Sequence, residues 1–335
     1  MSTGFAVAAF IVALAATLGA SEILVWGLSR LGIKLGLAAG LLGLLTALGA
    51  DAPEIASATS AALTGARDVG IGVILGSNVF NLAALLGLPG ILAGRLSFPR
   101  LVPVADGTAN VVITLVAGGL LLGLLTTPLA VGLFVAVMAC YVALLALPPR
   151  RVRRLGLPGW AVRGVLLLSA QIHPEDVAVD VIRGGGGWLP VWMVPAALAV
   201  IVAGSAVMVA TALVLGQRWH VPDVIVGTVA LAAITGLPNL YAAVRLALRG
   251  DGATVVSEAF NSNTLNLVVG LGLPAVVIGL PAGVAGVSGS LAWLGGMSVA
   301  AIAIATVQRG LTRAGGAVVV LLYAGFLGAL LHAAR

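Results

Sequence analysis

Residues 53–89 read PEIASATSAALTGARDVGIGVILGSNVFNLAALLGLP, and residues 238–274 read PNLYAAVRLALRGDGATVVSEAFNSNTLNLVVGLGLP. Slid over one another by 185 positions without a gap, the stretches share 13 of 37 residues. Pro53 meets Pro238, Gly65 meets Gly250, Ser77 meets Ser262, Asn78 meets Asn263, Asn81 meets Asn266, and both copies close on Leu-Gly-Leu-Pro. Unrelated apolar helices match at Leu, Ala and Val, but do not keep matching at Gly, Pro, Ser and Asn. The chain is read as a duplication.

Around this repeat the sequence is built for lipid. Of 335 residues 61% are hydrophobic and 8% charged, against about 25% charged in a soluble domain. Ten apolar stretches are long enough to cross a bilayer, which takes about 20 residues. Their limits are near 5–28, 35–64, 69–93, 101–124, 128–147, 189–214, 221–248, 253–280, 286–308 and 313–333. The first lacks a basic n-region and carries Glu22 near its end, so it is expected to be a retained spanning helix. Cys140 falls inside the fifth, where it is expected as a small buried hydrophobe.

The net charge of +6 forms no basic stripe on a soluble face, so no nucleic-acid partner is implied. It reports topology instead. With the amino terminus outside, every basic residue except Arg67, Arg218 and Arg335 falls on an inside connection, 14 of 17, as the positive-inside rule requires. The expected fold class is therefore an all-α polytopic membrane protein of ten transmembrane helices. Residues 1–147 form a first five-helix repeat, 148–188 a cytoplasmic linker, and 189–335 a second five-helix repeat. Five crossings separate equivalent segments, and an odd number reverses direction, so the repeats are inverted. In the linker, Arg150 to Arg154 anchor the end of segment five or hold anionic lipid. His173, Glu175, Asp176 and Asp180 match no ligand spacing and read as a solvated loop.

Inverted repeats with interrupted helices place ion sites near the bilayer midplane. The interruptions are Gly49-Ala50-Asp51-Ala52-Pro53-Glu54 and Thr235-Gly236-Leu237-Pro238-Asn239. A carboxylate at mid-span costs about 2.5–3.5 kcal/mol on insertion scales, so Asp51 and Glu54 need something to offset them. Spaced i and i+3, they share a helix face and match one divalent cation, two monovalent cations or two protons. The structural alternative is a capping box, with Asp51 as N-cap and Glu54 reaching back to it. Ser77 with Asn81, and Ser262 with Asn266, add hydroxyl and amide oxygens at i and i+4, the ligands hard cations prefer. Asn78 and Asn263 lie one step off that face and either join the site or glue helices. Glu22, Asp106 and Glu258 fall near segment ends, where water or an arginine would satisfy them, and are left outside the site.

Gly49 to Glu54, followed by Gly76-Ser77-Asn78-Val79-Phe80-Asn81, resembles the signature repeat of the sodium/calcium exchanger family within the calcium/cation antiporter superfamily. There the pattern runs G-T-S-L-P-E and then G-S-N-x-F-N. Asn261 to Asn266 is similar to the second copy, and the resemblance covers nearly the whole chain. It implies a secondary-active antiporter exchanging Ca2+ or another cation for Na+ or H+, with these ions as cargo and no cofactor. By the same resemblance the ion site uses the Ala47 carbonyl, Glu54, Ser77 and Asn81 from the first half. The second half supplies the Ala232 carbonyl, Thr235 and Ser262. Asp51, Asn239 and Asn266 stand at site positions where relatives carry serine, glutamate and often aspartate, while Ala50 and Gly236 replace a threonine and a serine.

Relatives bring a glutamate from each half, whereas both carboxylates here come from the first, so a stoichiometry or counter-ion other than three sodium per calcium is expected. Two adjacent carboxylates repel, which makes a proton a candidate counter-ion. A second reading is a degenerate protein that binds or senses a cation without transporting it, suggested by Gly236 and Asn239. Sixteen arginines against one lysine, with abundant Ala, Gly and Val, fit a GC-rich bacterial genome and hence a plasma (inner) membrane. The partners expected are the bilayer and small cations, and a monomer suffices.

Overall fold

The computed structural model describes residues 2–37, 39–146, 159, 162, 189–280 and 286–333. Apart from positions 159 and 162, the linker expected at 148–188 lies outside the described residues, together with its arginine run and His173, Glu175, Asp176 and Asp180.

The described residues are almost wholly helical. The first half comprises α1 (Thr3–Lys34), α2 (Ala39–Ala50), α3 (Ala52–Leu63), α4 (Arg67–Asn81), α5 (Leu88–Ala93), α6 (Leu101–Leu121) and α7 (Thr127–Ala146). After the linker come α8 (Leu189–Arg218), α9 (Asp223–Ile225), α10 (Ala232–Thr235), α11 (Leu237–Leu248) and α12 (Gly252–Leu265). Last come α13 (Gly272–Ile278), α14 (Val287–Val307) and α15 (Arg313–Ala333). Wider π-helical turns at Leu82–Gly87, Val226–Leu231 and Asn266–Leu271 carry α4 into α5, α9 into α10 and α12 into α13. Such turns insert one residue into the helical ladder and re-aim the side chains beyond it.

Among the described residues, seven helical stretches are long and apolar enough to cross a membrane: 3–34, 67–93, 101–121, 191–218, 252–278, 287–307 and 313–333. Two more form only as bent pairs, 41–50 with 52–63 at 52° and 223–235 with 237–248 at 44°. Thr127–Ala143 is a shorter apolar helix. The stretch expected at 35–64 is thus two helices, because Pro53 has no N–H to give to the carbonyl four residues back. Helix α1 also outruns its expected end at 28. Arg30, expected in a connection, is buried on its last turns with its guanidinium over the Trp26 ring.

Helices α1 and α8 pack side by side, with Ala20, Leu24, Ala197 and Ile201 as a small core of their own. The larger core lies in the remaining bundle around α4, α6, α12 and α14. A two-residue antiparallel ribbon, β1 (Arg95–Leu96) with β2 (Leu311–Thr312), ties the turn after α5 to the turn before α15. The Arg95 guanidinium reinforces it by donating to the Gln308 and Arg309 carbonyls at 3.1 and 3.3 Å. Cys140 is exposed on the apolar outside of α7, not buried as expected.

Candidate functional site

The two bends bring their polar residues together. Pro53 releases the carbonyl of Gly49, and the Ser21 hydroxyl on α1 donates to it at 3.1 Å. Asp51 sits at this corner with a helical backbone and makes no capping bond with its side chain. The capping-box alternative therefore fails. Asp51 Oδ1 instead accepts from Asn239 Nδ2 on α11 at 2.9 Å and from the Ser262 hydroxyl on α12 at 2.6 Å. Ser262 Oγ in turn accepts from Asn81 Nδ2, at the end of α4, at 3.1 Å. One hydrogen-bonded chain thus joins Asp51 and Asn81 from the first half to Asn239 and Ser262 from the second.

Around this chain the remaining oxygens have no donors. Asp51 Oδ2, both carboxylate oxygens of Glu54, Ser77 Oγ, Asn81 Oδ1 and Asn266 Oδ1 are all buried without a hydrogen-bond partner. Glu54 is 0% exposed, so it faces the protein interior and not acyl chains. Thr235 is equally buried and spends its hydroxyl proton on the Leu231 carbonyl at 2.9 Å, leaving its oxygen lone pairs open. The Ala47 carbonyl accepts the Asp51 N–H at 2.9 Å and keeps a second lone pair, while the Ala232 carbonyl accepts the Gly236 N–H at 3.2 Å and lies 3.4 Å from the Thr235 hydroxyl. Buried polar atoms in proteins are almost always paired. A cluster of orphaned acceptors, with few donors among them, is therefore built for something positive.

Its chemistry is that of hard oxygen ligands. Among the described residues no three His, Cys, Asp or Glu side chains gather, so a zinc-like site is not formed. Two carboxylates with hydroxyl, amide and carbonyl oxygens suit calcium or sodium.

Asn78 and Asn263 join the two helices through their amide nitrogens, while their Oδ1 atoms are buried without a partner, as the site oxygens are. The amide of Asn78 donates to the Asn263 carbonyl at 3.0 Å, and that of Asn263 to the Asn78 carbonyl at 2.9 Å. Beside the site lies a cavity of about 290 Å³ whose lining includes Ala47, Asn239, Glu22, Asp251 and Glu258. Glu22 and Glu258, left outside the site, line this cavity. Asp106, also set aside, is 1% exposed and is held by Tyr141 and Ser257 instead of by an arginine. Its partners lie on other helices, and nothing in the sequence near Asp106 announces them.

A family model described as sodium/calcium exchanger protein matches residues 5–148 and 189–331. The inner membrane protein YrbG of Escherichia coli (strain K12) is 26% identical over 277 residues, covering 81% of this chain and 80% of that protein. Among solved structures, the H+/Ca2+ exchanger CAX superposes with a TM-score of 0.71 at 16% identity, over 96% of this chain and 81% of that one. The sodium-calcium exchanger NCX_Mj superposes at 0.63 and 19% identity, over 98% and 99% of the two chains.

Proposed function

The chain belongs to the sodium/calcium exchanger protein family, and on that premise we propose that this multi-pass membrane antiporter carries calcium, or another hard cation, in exchange for Na+ or H+ by alternating access. The observation that carries this reading is the set of buried, donorless oxygens on Asp51, Glu54, Ser77, Asn81 and Asn266. With the Ala47 and Ala232 carbonyls, Thr235, Asn239 and Ser262, they make the proposed cation site. Two negative charges there are neutralised by one calcium, two sodium ions or two protons, and the site alternates among those loads.

Alternating access draws support from the helix contacts. At one end of the bundle, α4 meets the turn at 226–231 with almost no space between backbones. A Cβ on Gly72 would stand 2.8 Å from the Thr228 hydroxyl, and one on Gly76 would stand 2.6 Å from Thr228 Cα. Shifted by 185 positions, Gly72, Gly76 and Thr228 become Ser257, Asn261 and Gly43, and all three line the open cavity. The same contact is closed in one copy and open in the other, with the large and small partners exchanged.

We count the seven long helices, the two bent pairs and the shorter 127–143 helix as ten crossings. We assign them to inverted halves at 1–147 and 189–335, joined by a cytoplasmic linker at 148–188, with the amino terminus outside as the arginines direct. The cavity then opens to the cytoplasm, since its lining comes from the inner ends of α1, α11 and α12 and the start of α2. The bacterial plasma membrane is the proposed location, in keeping with the relative in the Escherichia coli inner membrane. One chain supplies the whole site, so a monomer suffices.

A flux panel in proteoliposomes tests the reading. Calcium uptake against an imposed sodium or proton gradient, lost in Glu54→Gln, supports it, and no flux of any cation under either gradient overturns it. The second reading, binding without exchange, rests on Asn239, which puts an amide against Asp51 where a further carboxylate would stand. Calorimetric calcium binding with no flux, and flux restored by Asn239→Glu, would select it.

A further inference from the structure

Asp106 on α6 lies outside the proposed cation site, and its surroundings are chemically opposite to it. Where Glu54 has no donor, both Asp106 oxygens are engaged by hydroxyls. Ser257 donates to Oδ2 at 2.5 Å, and the Tyr141 phenol lies 3.1 Å from Oδ1. The same phenol oxygen is 2.8 Å from Asn261 Oδ1. No lysine or arginine is among these partners. Gly107 fits tightly beside it, since a Cβ there would come within 2.6 Å of Ile302 Cδ1 and 3.3 Å of the Phe260 ring. With no donorless oxygen on Asp106 and side chains closed around it, the cluster lacks the features of a metal site.

Hydrogen counting gives the cluster a different ligand. A phenol carries one hydrogen, so Tyr141 cannot donate to Asp106 and Asn261 together. Two arrangements satisfy all the atoms. In one, Asp106 is a carboxylic acid that donates to Tyr141, and Tyr141 donates to Asn261 Oδ1. In the other, Asp106 is a carboxylate that accepts from Tyr141, and the Asn261 amide has turned so that Nδ2 donates to Tyr141. The two differ by one proton and one amide rotation.

The geometry points to Asp106, with Tyr141, Ser257 and Asn261, as a proton-binding site beside the cytoplasmic cavity, separate from the cation site. Loading it forms one O–H bond on Oδ1 with a proton from cavity water, and breaks no other bond within the protein. Ser257 and Asn261 line both the cluster and the cavity, so the proton state is felt by the surface that must close over the cation path. Of the elements packed against α6, α14 and the 266–271 turn carry no ionisable residue. Helix α7 adds Cys140 and Tyr141, and α12 adds Glu258, which lines the cavity. The coupling half of this inference rests on the antiport reading, and the proton site itself does not.

Infrared difference spectra of the purified full-length protein in nanodiscs, without calcium and across a pH series, separate the two. A carboxylic-acid carbonyl band present in the wild type, absent in Asp106→Asn, shifted in Tyr141→Phe and returned by Asp106→Glu is the expected result. No band difference between wild type and Asp106→Asn at any pH, with both eluting as folded protein, overturns the proton site. In proteoliposomes, Asp106→Asn is expected to slow pH-gradient-driven calcium uptake about tenfold, as coupled sites typically do, and calcium-for-calcium exchange much less. An unaltered pH profile of transport in that variant overturns the coupling. A wild type with the band but no flux leaves the proton site standing and removes the antiport reading.

Discussion

Asn78 and Asn263 each give their side-chain amide to the other's backbone carbonyl, at 3.0 and 2.9 Å across 185 residues of sequence. The reciprocity makes the pair a clamp between α4 and α12. Such bonds within membranes average about 0.6 kcal/mol and reach about 1.7. Asn78→Ala and Asn263→Ala should each lower stability by that order, and the double variant by less than their sum, because losing one bond loosens the approach of α4 and α12 that the other needs. Thermal unfolding in detergent gives the cycle, and strict additivity would separate the two bonds.

Removing either central carboxylate should cost cation affinity. Asp51→Asn and Glu54→Gln each halve the site's charge, and charge count tunes calcium affinity over decades, so a loss of at least about tenfold is expected. Calorimetry on purified protein measures it. Full affinity in Glu54→Gln would take that residue out of the coordination.

Protons and calcium compete for the same carboxylate oxygens, and only the ionised form binds metal. Calcium binding should weaken as pH falls, with the sign fixed by that competition. Glu54→Gln removes one competing proton and should flatten the dependence. Binding that strengthened on acidification would contradict carboxylate ligation.

The Gly76 contact leaves no room for a side chain. Gly76→Ala drives a methyl into the Thr228 backbone and should destabilise the fold by about 1–3 kcal/mol, the usual cost of overpacking. Gly19, with open space around its Cβ position, is the control, and Gly19→Ala should change the melting temperature little.

The direction of the cavity can be read by labelling. In a Cys140→Ser background, Ala242→Cys and Leu246→Cys place thiols in the lining. An impermeant maleimide should modify them from the cytoplasmic side alone. Labelling from the outside only would invert the topology.

The repeat, the bends and the Asp51 and Glu54 pair were legible because Gly, Pro and carboxylates are costly in a spanning helix and so stand out. Asn239 and Ser262 bond Asp51, and Asn81 bonds Ser262, so residues singled out at the two breaks and the two Ser/Asn faces do meet. What stayed hidden was pairing outside those motifs. Asp106 finds Tyr141 and Ser257 on other helices, and no spacing announces such a match. Helix ends misled as well. Arg30 reads as a loop residue only if α1 stops at 28, yet the helix runs on to Lys34.

The ribbon joining Arg95 and Leu96 to Leu311 and Thr312 spans most of the described chain, so it can close only late in synthesis relative to its first strand. A ribosome adding about 5–20 residues each second delivers Asn263 roughly 10–40 s after Asn78. Through that interval the first half waits with Asp51 and Asn78 lacking their companions, and the ribbon closes only after Leu311 and Thr312 have been added. Quality-control proteases and insertases therefore meet this chain first as an unfinished half.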